Sequence, residues 1–399
     1  MTDPTSRASE LRAQMVRSLS DRGHLPDPYW RRAFETVPRH VFVPEFYLRS
    51  EHKPTDATGL PLWEPVTERT DPERWLRTAY TDQTLITQFD GQEPDWAKPS
   101  VRRGGAFSSS ATLPSLVATM WEDAQISDGH RVLEIGTGTG YSTAVLCERV
   151  GSQNVVSVEV DGDRLAQAHR ALSACGYAPN LVEADGLFGW HPQAPYDRVV
   201  ASCSMRHVSP TLINQTRVGG KILVTLSGWL GGSARTLLTI DENGHGTGPL
   251  LTGTISFMLA RPHTPPRFGD PLQWALSAED SPARSTALAP ERISGTSVES
   301  FFPQFLAQCA APNAQSVALG QSTVLVDVVS GSVALVEPTQ KAQWQVRQNG
   351  PVRLWDRIES ALEAYDRAGR PTQESFRVRV DETAQWLEHP EMPSFELPQ

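Results

Sequence analysis

The residues best suited to chemistry lie in one glycine-rich stretch and at two later acids. Val132-Leu133-Glu134-Ile135-Gly136-Thr137-Gly138-Thr139-Gly140-Tyr141 reads as a buried strand, a tight turn and the start of a helix. Glycines let a ligand approach the backbone closely, and a helix start turns N–H groups toward it. The spacing is GxGxG, whereas a dinucleotide turn needs a further glycine where Tyr141 stands. Glu159 ends the next apolar run, where a carboxylate at a strand end accepts both hydroxyls of a ribose. Asp185, in Ala184-Asp185-Gly186, falls at the tip of a third run, in reach of an adenine amino group. Glu134, Gly136, Thr137, Gly138, Gly140, Glu159, Val160, Asp185 and Gly186 are therefore the candidate nucleoside site, with acids where a phosphate clamp would need donors.

Such a site requires parallel strands whose ends converge. Arg131 to Ile135, Val155 to Val158, Leu181 to Ala184, Arg198 to Ser202 and Lys221 to Leu226 are apolar β-rich runs separated by helical patterns, the signature of an α/β parallel sheet. Arg235 to Ile240 and Thr254 to Leu259, around Asn243-Gly244, are expected to add an antiparallel hairpin. Upstream, Leu11, Met15 and Leu19 predict a helix over residues 7–20, and Asp27-Pro28 opens another through Trp30 and Phe34. Residues 50–107, dense in Pro, Asp, Glu and Gly, read as an ordered loop or lid. The Pro- and Ser-rich stretch 263–303 reads as a linker. Beyond it, Ser322 to Val329, Ser332 to Val336, a helix from Val352 to Ala368 and Ser375 to Val380 read as a smaller α+β domain. The expected division is thus a catalytic domain over 1–262 (helices 1–50, lid 50–107, Rossmann-like core 108–262), the linker, and an accessory domain over 304–399.

Composition narrows the function classes. The 399 residues carry 36 Lys plus Arg against 46 Asp plus Glu, a formal charge of −10. That balance disfavours binding to nucleic acid, which needs clustered cations against phosphates. No apolar run reaches the roughly 18–20 residues of a membrane span, and Met1 to Ser20 is polar and of mixed charge rather than a basic stretch ahead of an apolar run, so membrane spans and Sec-type export are disfavoured. Cys147, Cys175, Cys203 and Cys309 show neither CxxC pairing nor zinc-ligand spacing, so a reduced cytoplasmic setting without structural metal or disulfides is expected; the sequence leaves the oligomeric state open, with a monomer favoured.

Glu134 to Tyr141 with Glu159 and Asp185 resembles a class I S-adenosylmethionine-dependent methyltransferase. Further motifs resemble the protein-L-isoaspartate O-methyltransferase family over about residues 30 to 227: Val37-Pro38-Arg39-His40-Val41-Phe42-Val43-Pro44, Ala79-Tyr80-Thr81-Asp82, Pro114 to Met120, Gly176-Tyr177, Ala184 to Trp190, Ala194 to Val200 and Gly219-Gly220-Lys221. The resemblance implies S-adenosyl-L-methionine as cofactor, S-adenosyl-L-homocysteine as product, and O-methylation of an aspartyl-type carboxylate in a peptide or protein. That acceptor is already ionised at pH 7, so positioning rather than a general base must carry the catalysis.

In that family a Thr-Ile-Ser-x-Pro segment brings its Ser hydroxyl to the acceptor. The corresponding residues here are Ser110-Ala111-Thr112-Leu113-Pro114, which makes Thr112 and Ser110 the expected catalytic hydroxyls. Tyr80, Ser108, Ser109, Ser202, Ser204, Arg206 and His207 are the expected substrate contacts. The C-terminal extension, with Trp344, Leu354 to Glu359, Tyr365 and Trp386, is similar to that of actinobacterial homologues associated with ribosomally made peptides such as lanthipeptides and graspetides. This implies Asp methylation in a constrained precursor peptide, leading to an aspartimide. General repair of isoaspartyl residues in damaged proteins is the alternative, and a non-catalytic peptide-binding module the second.

Overall fold

In the computed structural model, which describes residues 4–340 and 343–398, the strands Val132–Ile135, Val155–Glu159, Asn180–Glu183 and Tyr196–Met205 lie parallel. Val132–Ile135 sits between Tyr196–Met205 and Val155–Glu159, and Asn180–Glu183 pairs outside the latter. The first of them is buried along its whole length, as expected of a parallel strand covered on both faces. The helices Tyr141–Val150 and Gly162–Ala174 make the crossovers. The chain as a whole divides into two compact units, one running through Ser202 together with Gln215–Arg217, the other comprising Cys203–Asn214 and everything from Val218.

Within the first unit the helices Pro4–Asp21 and Pro28–Thr36 precede the sheet. Asp27 caps the second by accepting the Tyr29 N–H at 2.7 Å, with Pro28 at its first position. Its buried face presents Trp30, stacked 6.4 Å from Trp121, and Phe34, edge-on to Tyr141 at 6.2 Å. Aromatic pairs of this geometry add about 0.5–1.5 kcal/mol each beyond the area they bury.

The stretch expected as a lid is a folded layer instead. Glu45–Arg49, Leu62–Thr67, Leu85–Phe89, Arg102–Arg103 and Phe107–Ala111 form an antiparallel sheet, and Pro72–Ala79 is a helix. The abundant Pro and Asp that read as loop include a helix start, since Asp71 accepts the Arg74 N–H ahead of Pro72. Tyr47, Trp63, Phe89, Trp96 and Phe107 pack ring against ring on this sheet at 4.9–5.7 Å.

Thr216–Ser227, which belongs to the second unit from Val218 onward, is followed there by Ser233–Ile240, Gly246–Pro249, Arg377–Val380, Gln385–Glu388 and Phe395–Glu396, running antiparallel in that order. The partner of Ser233–Ile240 is thus Gly246–Pro249 and not the expected Thr254 to Leu259. Asp241 tightens the turn by accepting the N–H groups of Asn243 and His245 at 2.9 and 2.8 Å. The expected linker carries the helices Pro271–Glu279 and Val298–Ala310. Its Asp270-Pro271 and its reciprocal Ser297–Ser300 pair are helix N-terminal signals, which composition alone renders as linker. A second antiparallel sheet, with Ser322–Asp327 and Ser332–Pro338 at its middle, packs Val324, Val326, Val333 and Leu335 against Ala275 and Ala278. The helix Leu354–Arg367 buries Leu354, Trp355, Ile358 and Leu362. Because Gly246–Pro249 pairs with Arg377–Val380, residues on both sides of 262 share a sheet, and the expected boundary there does not divide the fold. Among the described residues no helix is long and apolar enough to cross a membrane.

The third parallel strand end presses on the first. A Cβ built on Gly186 would lie 2.3 Å from Ile135 Cγ2. Gly186→Ala should therefore cost about 1–3 kcal/mol from overpacking, read as a lower urea midpoint. Combined with Ile135→Ala, itself a loss of about 2–5 kcal/mol, the two changes should cost less together than the sum of the single losses; a Gly186→Ala variant as stable as the parent would refute the close approach.

Candidate active site

The glycine turn leaves the first parallel strand with Gly136, Gly138 and Gly140 at φ 95°, 54° and 84°, a region that L side chains rarely enter. The last of these serves packing as well, since a Cβ on Gly140 would meet Ala168 at 3.1 Å. The first two face functional neighbours: a Cβ on Gly136 would lie 3.6 Å from Ser202 Cβ, and one on Gly138 would lie 3.6 Å from the Ser110 carbonyl oxygen. The fold thus brings Ser110 and Ser202, far apart in sequence, to the expected cofactor turn.

At the second strand end the Glu159 carboxylate accepts the Gly138 N–H at 2.9 Å with one oxygen, and those of Val160 and Asp161 at 3.0 and 3.1 Å with the other. It remains half-buried, so it still presents acceptor capacity. Val160 beside it is 42% exposed, an apolar surface for a base. Asp185 accepts the Leu187 N–H at 2.9 Å and is also half-buried. The glycine N–H that a phosphate would require is bonded to an acid. These strand ends therefore suit a ligand bearing hydroxyls, an amino group and positive charge, and S-adenosylmethionine fits that description.

Two expected cofactor contacts are corrected. Glu134 is fully buried, accepting hydrogen bonds from Ser142 Oγ at 2.6 Å, Thr143 Oγ1 at 2.5 Å and Ser157 Oγ at 2.7 Å. Thr137 is buried too, its hydroxyl 2.7 Å from Ser157 Oγ. Both side chains brace the turn from beneath. Burial pushes the Glu134 carboxyl above the ordinary range, against the pull of the hydroxyls.

On the acceptor side, the strand Phe107–Ala111 uses up most of its serines. Ser108 donates to Gln88 Oε1 at 2.8 Å and accepts the Gly91 N–H at 2.9 Å, and buried Ser109 accepts from Thr87 Oγ1 at 3.0 Å. These two hold the sheet together instead of meeting a substrate. Ser110 and Thr112 are half-buried, and their hydroxyls have no partner among the described residues. Tyr80, expected to touch substrate, is buried with its hydroxyl 2.7 Å from His40 Nδ1. Arg39 and Asp82, quoted in the sequence motifs without a role, turn out to grip this region: the Arg39 guanidinium donates to the Thr112 carbonyl at 3.1 Å, and Asp82 accepts the Ser115 N–H at 2.8 Å.

The remaining expected contacts are engaged inside the second unit. Ser204 is fully buried and accepts the Phe257 N–H at 3.2 Å. The Arg206 guanidinium lies 3.7 Å over the Trp229 ring and donates to Asn313 Oδ1 at 2.7 Å and to the Pro312 carbonyl at 3.0 Å. His207 and His263 have ring centroids 4.6 Å apart. Burial lowers both pKa values, that of His263 to about 4. Neither ring is then a cation for a carboxylate at neutral pH, and Arg206 is held by its own unit.

The buried Glu134 carries a pH signature. Its folded pKa is raised, so the folded chain holds the proton more tightly than the unfolded one. Stability must fall as pH climbs from the usual carboxylate range of about 4.3 through the folded value. Glu134→Gln lacks this term, so urea denaturation of the cofactor-free protein should show the variant gaining on the parent as pH rises above the ordinary carboxylate range of about 4.3. A difference that stays constant with pH would mean the group is not strained by burial.

Residues 71–245 match the family model described as protein-L-isoaspartate(D-aspartate) O-methyltransferase. Protein-L-isoaspartate O-methyltransferase 1 of Archaeoglobus fulgidus is 29% identical over 251 residues, covering 62% of this chain and 92% of its own. Protein-L-isoaspartate O-methyltransferase 1 of Rhodopseudomonas palustris is 30% identical over 223 residues, covering 56% and 71% respectively. A solved structure described as a protein-L-isoaspartate O-methyltransferase shares the fold with a TM-score of 0.52 at 20% identity, over 95% of this chain and 99% of that one. Identity at this level over most of a relative's length, with a family model seated on the same strands, means that the chain belongs to the protein-L-isoaspartate O-methyltransferase family, carboxyl methyltransferases that use S-adenosylmethionine.

Proposed function

We propose that the protein methylates the free carboxylate of isoaspartyl residues in peptides and proteins. The observation that carries this reading is the pair of hydroxyls, Ser110 and Thr112, without partners among the described residues, at the end of a strand that runs close beside the cofactor turn. When bound, S-adenosylmethionine supplies a methyl group on a positively charged sulfur, whose transfer to a carboxylate cancels both charges. Glu159 would accept the ribose hydroxyls, Asp185 the adenine amino group, and Val160 would lie against the base. Ser110 and Thr112 donate to the acceptor carboxylate and orient it. No base is needed, and fixing the reacting oxygen in attack geometry contributes on the order of 7–11 kcal/mol.

Modification of an Asp in a constrained precursor peptide, ending in an aspartimide, is the second reading. What favours it is the acceptor side itself: Thr112 stands where the family pattern has Ser, and Ser202-Cys203-Ser204-Met205 stands where the family has a small Thr-Ala-Ala-Ala segment. The C-terminal extension no longer separates the two, because a solved isoaspartyl methyltransferase has the same fold over nearly its full length. Arg206, His207 and Ser204 do not separate them either, being engaged within their own unit.

Calorimetry on Glu159→Ala should show cofactor affinity falling at least about tenfold, as expected for losing charge-assisted hydrogen bonds worth about 1.5–3 kcal/mol. Thr112→Ser should stay active, while Thr112→Val should lose about tenfold or more in kcat with cofactor binding intact. The substrate readings part on kcat/KM for an isoaspartyl peptide against the matched Asp peptide, linear and macrocyclic. Preference for the macrocyclic Asp peptide would replace the first reading by the second.

A further inference from the structure

Arg39 takes no part in the function proposed above, yet it is among the most completely buried side chains in the first unit. It opens the short helical turn Arg39–Phe42 and is wholly inaccessible. Nη1 donates to the carbonyls of Ala79 at 2.7 Å and Thr81 at 3.2 Å, and Nη2 to those of Gln83 at 3.2 Å and Thr112 at 3.1 Å. Its bonded partners among the described residues are thus main-chain carbonyls and not a carboxylate. Burial lowers its pKa to about 10, which leaves it charged at neutral pH. Burying a cation on neutral acceptors costs more than burying a well-packed apolar side chain, so the guanidinium needs a reason other than stability.

The geometry provides one. The segment 79–83 grips the acceptor residue from both sides, through Arg39 on the Thr112 carbonyl and through Asp82 on the Ser115 N–H at the first turn of the helix Pro114–Asp123. The guanidinium also lies 5.5 Å over the ring of Tyr141, the residue that starts the helix after the glycine turn. One side chain therefore touches the backbone that carries the acceptor hydroxyl and the helix that follows the cofactor turn. We infer that Arg39 is a positioning residue for methyl transfer, fixing the Thr112 hydroxyl relative to the cofactor turn. The inference rests on the acceptor role of Thr112 proposed above. Lysine cannot replace it, because one ammonium cannot span the fork of four carbonyls.

The test is a double-mutant cycle in the full chain, with an isoaspartyl peptide as acceptor. Arg39→Lys should keep cofactor affinity within about threefold and lower kcat by up to about 10²-fold, the scale of an ångström-sized misplacement. Thr112→Ala keeps the carbonyl that Arg39 binds and removes only the hydroxyl, so any contribution of Arg39 to folding is the same in both backgrounds. In the Thr112→Ala background, Arg39→Lys should then lower kcat by no more than about threefold. Equal losses in the two backgrounds, or an unchanged kcat in Arg39→Lys, overturn the inference while leaving the acceptor role intact. Full activity of Thr112→Ala alone overturns the acceptor role, and this inference with it. Should Arg39→Lys not fold, Asp82→Ala removes the acceptor of the Ser115 N–H and loosens the same segment from the other end, leaving the four carbonyl partners of Arg39 in place. Its kcat loss should likewise vanish in the Thr112→Ala background, and persistence of that loss would count against the clamp.

Discussion

The hydrogen bond from the Gly138 N–H to Glu159 decides what the parallel strand ends can hold. In a dinucleotide turn the glycine N–H groups face a pyrophosphate. Here the donor and the neighbouring acid satisfy each other at 2.9 Å, so an anion arriving at the turn would meet carboxylate first. The same bond fastens Gly138, which sits at positive φ and so close to the Ser110 carbonyl that an added Cβ would meet it at 3.6 Å. Beneath it, Glu134 gathers Ser142, Thr143 and Ser157, and Ser157 reaches Thr137. A chain of short hydrogen bonds in a buried setting is stiff, which suits a turn that must present ligand contacts without rearranging.

The acceptor side is built by alternation. Along Phe107–Ala111 successive side chains point to opposite faces, so Ser109 and Ala111 are buried while Ser108 and Ser110 share the other face. Gln88 and Gly91 then take Ser108. Ser110 is left as the hydroxyl of the strand that nothing in the sheet uses, and Thr112 follows where the strand gives way to the helix Pro114–Asp123. A reaction that needs orientation but no proton transfer asks for little more than this.

The cofactor side was legible because its signals are local. Glycines at a strand-to-helix turn and acids at successive strand ends state their positions within a few residues, and those strands appear close to where the apolar runs fall. What sequence could not tell was which side of the turn a residue occupies, so Glu134 and Thr137 read as ligands although both face inward. The acceptor side was half legible: Thr112 and Ser110 stand out from their place before Pro114, whereas Ser108 and Ser109 depend on cross-strand partners such as Gln88 and Thr87. Arg206 was misread because Trp229, Asn313 and the His263 beside His207 are remote in sequence. The two stretches read as lid and linker failed for one reason, namely that Asp71-Pro72, Asp270-Pro271 and Ser297 look like loop chemistry in composition and are helix starts in structure.

Thr112 differs from the family's serine by one methyl group, and its setting gives that change a direction. A β-branched side chain has fewer χ1 states, so its hydroxyl loses less freedom on engaging an acceptor. The backbone beneath it is already fixed by the Arg39 bond to its carbonyl and the Asp82 bond to Ser115. Backbone and rotamer are thus both constrained at one of the two residues proposed to meet the reacting carboxylate. Constraint of this kind favours an acceptor that already fits and penalises one that must adjust, because the site yields little. Under the acceptor role proposed for Thr112, the effect of that methyl group belongs in the ratio of kcat/KM between acceptors and not in cofactor affinity.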